Sequence, residues 1–212
     1  MEGTKSTASS VEDDVLPFWV NSRKTPDEAL VDLRLDKFSS LDNPMWSTWT
    51  KYMGNYNERY PDKATTRIAT FTRIFGDENV VTFLIASKAE DATKRLVTKL
   101  ESAQLKMWLD GHESVQNVFV KLRLSREDLY HNPLLNTWVS YMEVVVTNDP
   151  REISKIFAAL KIDYKNRPGP LLRILDAAMK FPSMEKAASN LREDTIFTLL
   201  NFGNPPGRCL RC

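Results

Sequence analysis

The chain has 212 residues, of which 42% are hydrophobic, 29 are basic and 28 are acidic. The formal net charge of +1 gives no electrostatic reason to expect nucleic acid or an anionic membrane as the main partner. No run approaches the roughly 18 apolar residues that a membrane-spanning helix needs, and seven glycines are few for a strand-rich protein with many tight turns, so helices are favoured.

The N-terminal segment is polar and acidic. Residues 1–14 lack the charged-then-apolar pattern of a secretory leader. If the natural protein is secreted, we therefore expect its leader to have been removed from this chain. Residues 1–15 are predicted to be disordered.

Two predicted helices follow in the first half, each with apolar residues at the spacing of one helix face. Pro44 fits the first turn of the first helix with Asn43 as its cap, and Gly76 fits the stop after the second. The apolar faces consist of Trp49, Tyr52, Met53 and Tyr56, and of Ile68, Phe71, Ile74 and Phe75.

The second half repeats the first. Residues 30–53 and 119–142 share ten identities in 24 positions at an offset of 89. The offset becomes 91 within residues 165–170, where we expect a Pro-Gly-Pro loop to absorb two residues. We predict a first unit at 16–104, a second at 105–195, and a partial third copy with a flexible tail at 196–212. Each unit should contain about five short helices and little or no strand.

The repeated residues carry a resemblance to a known family. Each half has a Trp-x-x-Tyr helix and an aromatic residue one helix later, and a leucine-rich segment at 100–124 joins the halves. This pattern resembles the tandem WY/LWY units of RXLR effectors from oomycetes such as Phytophthora. The resemblance implies an all-α fold of two helical-bundle units in a linear array. The side chains predicted to form the cores are Trp49, Tyr52, Phe75, Trp108, Trp138, Tyr141 and Tyr164.

The resemblance also implies a function. Such effectors are secreted virulence proteins that act inside the host plant cell, in the cytoplasm or nucleus, and bind a host plant protein to suppress immunity. Some members recruit the core enzyme of host protein phosphatase 2A through adjacent WY and LWY units, and members are often recognised by plant immune receptors. The chain departs from the pattern at Phe75, where the family has tyrosine, and it lacks the RXLR leader.

A segment near the C-terminus offers a second hypothesis. Glu193 and Asp194 precede Phe197 and Leu200, and acidic residues before an aromatic-x-x-Leu motif resemble peptides that add a strand to ubiquitin-like autophagy proteins. The repeat aligns this segment with residues 104–109 and predicts a helix instead. A frayed chain end would release it for binding.

Residues for chemistry are sparse. His112 and His131 are the only histidines, and neither recurs in the other unit. We find no Ser/His/Asp or Cys/His arrangement, no phosphate-binding loop and no His-x-x-x-His pair. We therefore expect no catalytic activity, cofactor or metal. The competing hypothesis is an enzyme whose polar residues converge in a pocket between the units.

The two cysteines, Cys209 and Cys212, lie in the last four positions. As zinc ligands they would need two more from a partner chain. As a prenylation box they have the right distance from the end, but Arg211 is a poor match for its aliphatic position. A flexible, unmodified tail is the third interpretation and the one we expect.

Overall fold

The computed structural model describes residues 15–37, 43–89, 91–127 and 129–203. Within these ranges the secondary structure is helical and contains no strand, which confirms the predicted all-α class. The predicted disorder of the N-terminal segment concerns residues that, except for Val15, lie outside the described ones. The predicted tail with Cys209 and Cys212 also lies outside them.

The chain divides into two compact units, residues 1–107 and 108–212. The boundary falls within the sixth helix, close to the predicted boundary between residues 104 and 105. The predicted limits of the repeat units, and their arrangement in an array, stay predictions.

The helices of the first unit, in chain order, are α1 (Leu16–Asn21), α2 (Pro26–Asp32), α3 (Met45–Arg59), a 3-10 turn (Pro61–Lys63), α4 (Arg67–Phe75), α5 (Asp77–Ser87) and α6 (Asp91–Asp110), whose last residues belong to the second unit. Those of the second unit are α7 (Val115–Lys121), α8 (Leu134–Asn148), α9 (Glu152–Asp163), α10 (Pro168–Ala178) and α11 (Pro182–Gly203).

The helix limits repeat with the two offsets seen in the sequence. Helices α7 and α8 begin and end 89 residues after α2 and α3, whereas α10 begins and ends 91 residues after α5. The two extra residues lie between α9 and α10, before Pro168. The Pro-Gly-Pro stretch is therefore not the loop that we expected. It forms the first turn of α10, because proline at the first helical positions lacks only an N–H that would have no partner in the helix.

The ends of the helices are also repeated. The N–H of Met45 donates to Oδ1 of Asn43 at 3.0 Å, and the N–H of Leu134 donates to Oδ1 of Asn132 at 2.9 Å. Each asparagine thus satisfies a donor at the start of α3 or α8, but the N-cap position itself is occupied by the proline that follows it, one residue later than predicted.

Among the described residues, four other than glycine adopt positive φ, in two pairs 89 residues apart. They follow α1 and α6 (Arg23, 59°; His112, 54°) and α2 and α7 (Arg34, 56°; Arg123, 48°). The left-handed conformation just after a helix lets the next N–H groups reach the last free carbonyls. Because the two residues share this conformation and lie 89 residues apart, His112 occupies the same backbone position in the second unit as Arg23 in the first.

Candidate functional site

The tryptophan of each Trp-x-x-Tyr helix anchors the short helix that precedes it. The indole N–H of Trp49 donates to the carbonyl of Pro26 at 2.8 Å, and that of Trp138 donates to the carbonyl of Val115 at 2.8 Å. The two tryptophans are 0% and 2% exposed. A buried indole N–H needs an acceptor, so these bonds fix α2 on α3 and α7 on α8.

The tyrosine one turn later makes a second anchor. The hydroxyls of Tyr52 and Tyr141 donate to the carbonyls of Lys24 and Glu113, both at 2.5 Å. Both tyrosines are fully buried.

Each of these tyrosine rings also meets a tryptophan edge to face. Trp19 lies 5.6 Å from Tyr52 at 86°, and Trp108 lies 5.5 Å from Tyr141 at 80°. Tyr52, Tyr141 and Trp108 were predicted to lie in the core, whereas these ring contacts and hydrogen bonds were not predicted.

Alkaline pH is expected to destabilise the fold through these tyrosines. Burial raises the pKa of Tyr141 to about 12, above its ordinary value near 10. A raised tyrosine pKa means that its contribution to stability is complete below about pH 10 and is lost as the pH rises through the folded pKa. Urea unfolding between about pH 9 and pH 12 should therefore show falling stability.

The variant Tyr141→Phe isolates that contribution. At neutral pH it should lower the free energy of unfolding by about 1 kcal/mol, because one hydrogen bond to the carbonyl of Glu113 is lost. Above pH 10 its stability should fall less steeply than that of the wild type. If stability fell with pH equally steeply in the variant and the wild type, ionisation of the Tyr141 hydroxyl would not be the cause of the loss.

The aromatic residue of the next helix is placed differently in the two units. Tyr164 is buried, and the guanidinium of Arg126 lies 5.9 Å from its ring centroid. Phe75 is only half-buried. The ring stacked on Trp49 is that of Phe71, at 5.5 Å and 24°, and Phe75 lies 6.2 Å beyond Phe71. Phe71 was predicted to lie on the apolar face of its helix, but Phe75 was the residue predicted for the core.

The predicted C-terminal segment lies within α11. Glu193, Asp194, Phe197 and Leu200 are all helical, as the repeat predicted. Phe197 is 68% exposed and Leu200 is 67% exposed, and Asp194 pairs with Lys161 of α9 at 3.3 Å. The segment therefore presents two apolar side chains to solvent, but an extended binding mode would require the end of α11 to unwind.

A groove in the second unit was not predicted. It lies between α7 and α9 and has a volume of about 520 Å³. Trp138, Phe119, Ile156 and Leu160 line its apolar part. Ser114 also lines it, but its hydroxyl accepts the N–H of Asn117 and so caps α7.

Charged residues at the rim of the groove pair with each other. Arg126 contacts Asp163 at 3.1 Å, and Lys155 contacts Glu152 at 2.6 Å. An apolar floor with a neutralised rim suits binding of an uncharged group better than polar chemistry.

The described part of the chain offers neither a cluster of metal ligands nor a helix fit to span a membrane. Among those residues, no group of three or more His, Cys, Asp or Glu side chains could hold a metal ion. None of the helices formed by those residues combines the length and hydrophobicity that crossing a membrane requires.

Comparison with known proteins shows what the chain is similar to. No family model matches the chain. An RxLR effector protein of Phytophthora infestans (strain T30-4) is 36% identical over 95% of this chain and 30% of its own length. The RxLR effector protein PSR2 of Phytophthora sojae is 31% identical over 96% of this chain and 31% of its own length. PSR2 of Phytophthora infestans (strain T30-4) is 38% identical, with corresponding shares of 96% and 27%.

The chain thus spans less than a third of the length of these curated relatives. A solved structure of an RxLR protein is also similar to this chain. The crystal structure of PcRxLR12 matches with a TM-score of 0.64 and 28% identity over 94% of this chain and 52% of that one. Over nearly its whole length the chain is thus similar in sequence to RxLR effector proteins of Phytophthora and in fold to PcRxLR12.

Proposed function

We propose that this chain acts as a secreted virulence effector that binds a host plant protein inside the plant cell and so suppresses immunity. The observation that carries this proposal is the similarity to PSR2 proteins over 96% of the chain. The structure agrees with a binding role, because the buried aromatic side chains that recur in the two units are used to hold helices together. Function is then left to the surface that these cores support.

The partner that we propose is the core enzyme of protein phosphatase 2A. Support comes from the resemblance to effectors that recruit this enzyme through adjacent WY and LWY units, and from the presence of two consecutive compact units in this chain. Helical repeat proteins present extended surfaces that suit a large partner. The host compartment, cytoplasm or nucleus, and recognition by a plant immune receptor stay expectations.

Affinity purification from plant extract tests the partner. The wild type and the double variant Phe197→Ala/Leu200→Ala should both retain the scaffold and catalytic subunits of phosphatase 2A, identified by mass spectrometry. Trp138→Ala should retain neither, because it disrupts the core of the second unit. Direct binding of the purified core enzyme to the wild type should then be measured by calorimetry, and absence of binding would refute this choice of partner.

A second candidate function is binding of a ubiquitin-like autophagy protein through Phe197 and Leu200. The exposure of these two side chains favours it, whereas their helical conformation does not fit strand addition. A synthetic peptide of residues 190–212 should bind such a protein on its own if this function is correct. In the extract experiment, an autophagy protein retained by the wild type and absent from the double variant would favour this alternative.

A further inference from the structure

The first unit has an ion pair at the place equivalent to the groove, and the second unit lacks it. In the first unit, Arg73 of α4 donates two hydrogen bonds to the carboxylate of Asp27 on α2, each 2.7 Å long. We call this pair the clasp. At the offset of 89, the corresponding residues of the second unit are Gln116 and Ile162, which cannot form an ion pair.

The consequence is visible beside the clasp. Arg73 also donates to the hydroxyl of Thr70 at 3.2 Å, and Thr70 is fully buried. Its counterpart Ala159 is exposed and lines the groove. Ile162, the counterpart of Arg73, is 75% exposed. The second unit thus has two exposed apolar side chains, Ala159 and Ile162, where the first unit has the hydrogen-bonded side chains of Thr70 and Arg73.

The open groove has an apolar interior beneath the missing clasp. Phe119 of α7, Leu160 of α9 and Trp138 of α8 line the groove. Each of these three side chains is mostly buried. A volume of about 520 Å³ is within the range of sites that bind ligands. It has ample space for one large side chain from outside.

The charges at the rim decide which kind of side chain fits. Arg126 pairs with Asp163, and Lys155 pairs with Glu152. The remaining carboxylate, Glu113, pairs with Lys121 at 3.2 Å. A charged side chain entering the groove would lose hydration and would have to compete with these existing pairs. An uncharged apolar side chain meets neither cost.

We propose that the groove between α7 and α9 is a docking site for one large uncharged side chain, leucine, methionine or phenylalanine, that a partner protein inserts beside Ile162. The proposal rests on the proposed function only in that the chain binds a protein. It does not depend on which protein that is.

The test variant introduces the ion pair of the first unit at the equivalent positions of the second unit, in order to close the groove. Gln116→Asp together with Ile162→Arg places the clasp in the second unit. The matched control is Asp27→Gln with Arg73→Ile, which removes the clasp from the first unit and leaves the groove of the second unchanged. Circular dichroism and the dispersion of the indole N–H signals in NMR spectra should confirm that both variants are folded.

Small probes test the groove without any partner. N-acetyl-leucine amide and N-acetyl-phenylalanine amide, at millimolar concentration, should shift the indole N–H signal of Trp138, which reports on the contact with Val115. The corresponding arginine and glutamate amides should not. The shift should disappear in Gln116→Asp/Ile162→Arg and persist in Asp27→Gln/Arg73→Ile. Equal shifts with charged and apolar amides, or shifts that survive closure of the groove, would overturn the proposal.

The purified phosphatase core enzyme provides a second reading that separates the two proposals. If it binds the wild type, closure of the groove should weaken binding at least about tenfold, as for loss of a central anchor, and the control variant should bind normally. Unchanged affinity after closure would overturn the docking site and leave the proposed function intact. If the enzyme does not bind the wild type, the choice of partner fails and the amide shifts alone decide on the groove.

Discussion

Replacing Trp138 by alanine is expected to lower the free energy of unfolding of the second unit by about 3–5 kcal/mol, the range for loss of a buried aromatic side chain. The indole is 2% exposed and meets the ring of Phe119 at 5.0 Å and 67°. The substitution also removes the indole N–H that donates to the carbonyl of Val115, so α7 loses its anchor to α8. Packing and hydrogen bonding are therefore lost together.

Urea denaturation followed by circular dichroism measures the total loss, and hydrogen exchange locates it. Protection should fall in α7, α8 and α9, whereas α3 and α4 should keep theirs, because they pack around Trp49 in a separate core. Val120→Ala is the matched control, since Val120 is 65% exposed on α7 and should change stability by no more than about 0.5 kcal/mol. A loss below about 1 kcal/mol for Trp138→Ala would mean that the second unit does not depend on this side chain.

Much of the fold could be predicted because the sequence contains two copies of the same pattern, so a helix predicted in one copy can be compared with its counterpart in the other. Apolar residues at helical spacing identify a helix face, and the recurrence of Asn-Pro before Trp-x-x-Tyr at an offset of 89 fixes where that helix begins. The structure places α3 and α8 at these positions. Periodicity cannot show which residue of a face meets which neighbour.

The choice between Phe71 and Phe75 shows that limit. The two residues are four positions apart and lie on the same face of α4. Which of them stacks on Trp49 depends on where α4 crosses α3, and that geometry is set by tertiary packing. The family pattern directed attention to Phe75, whereas the ring against Trp49 is that of Phe71.

The groove could not be predicted for a related reason. Both members of the clasp and their replacements, Gln116 and Ile162, are in the sequence, but Asp27 and Arg73 are separated by 46 residues. Nothing in their spacing indicates that they meet. The contact between Asp27 and Arg73 is evident only once α2 and α4 are placed side by side. Only then can the absence of both charges in the second unit be related to the groove.

Alanine substitution at equivalent repeat positions should have a large effect on stability in α6 and a small effect in α11. Trp108 and Leu199 are equivalent at the offset of 91. Trp108 is 2% exposed and packs edge to face on Tyr141, so Trp108→Ala should cost about 3–5 kcal/mol. Leu199 is 43% exposed, so Leu199→Ala should change stability by no more than about 0.5 kcal/mol.

Paired urea titrations of the two variants decide whether burial or sequence position governs stability here. The predicted difference requires that the apolar end of α11, with Phe197 and Leu200 more exposed than Leu199, contributes little to the second unit's core. A large loss for Leu199→Ala would show that this end is buried in solution by a contact outside the described residues or by another molecule. A small loss for Trp108→Ala would show that Tyr141 is held in place by its hydrogen bond to Glu113 without the tryptophan edge.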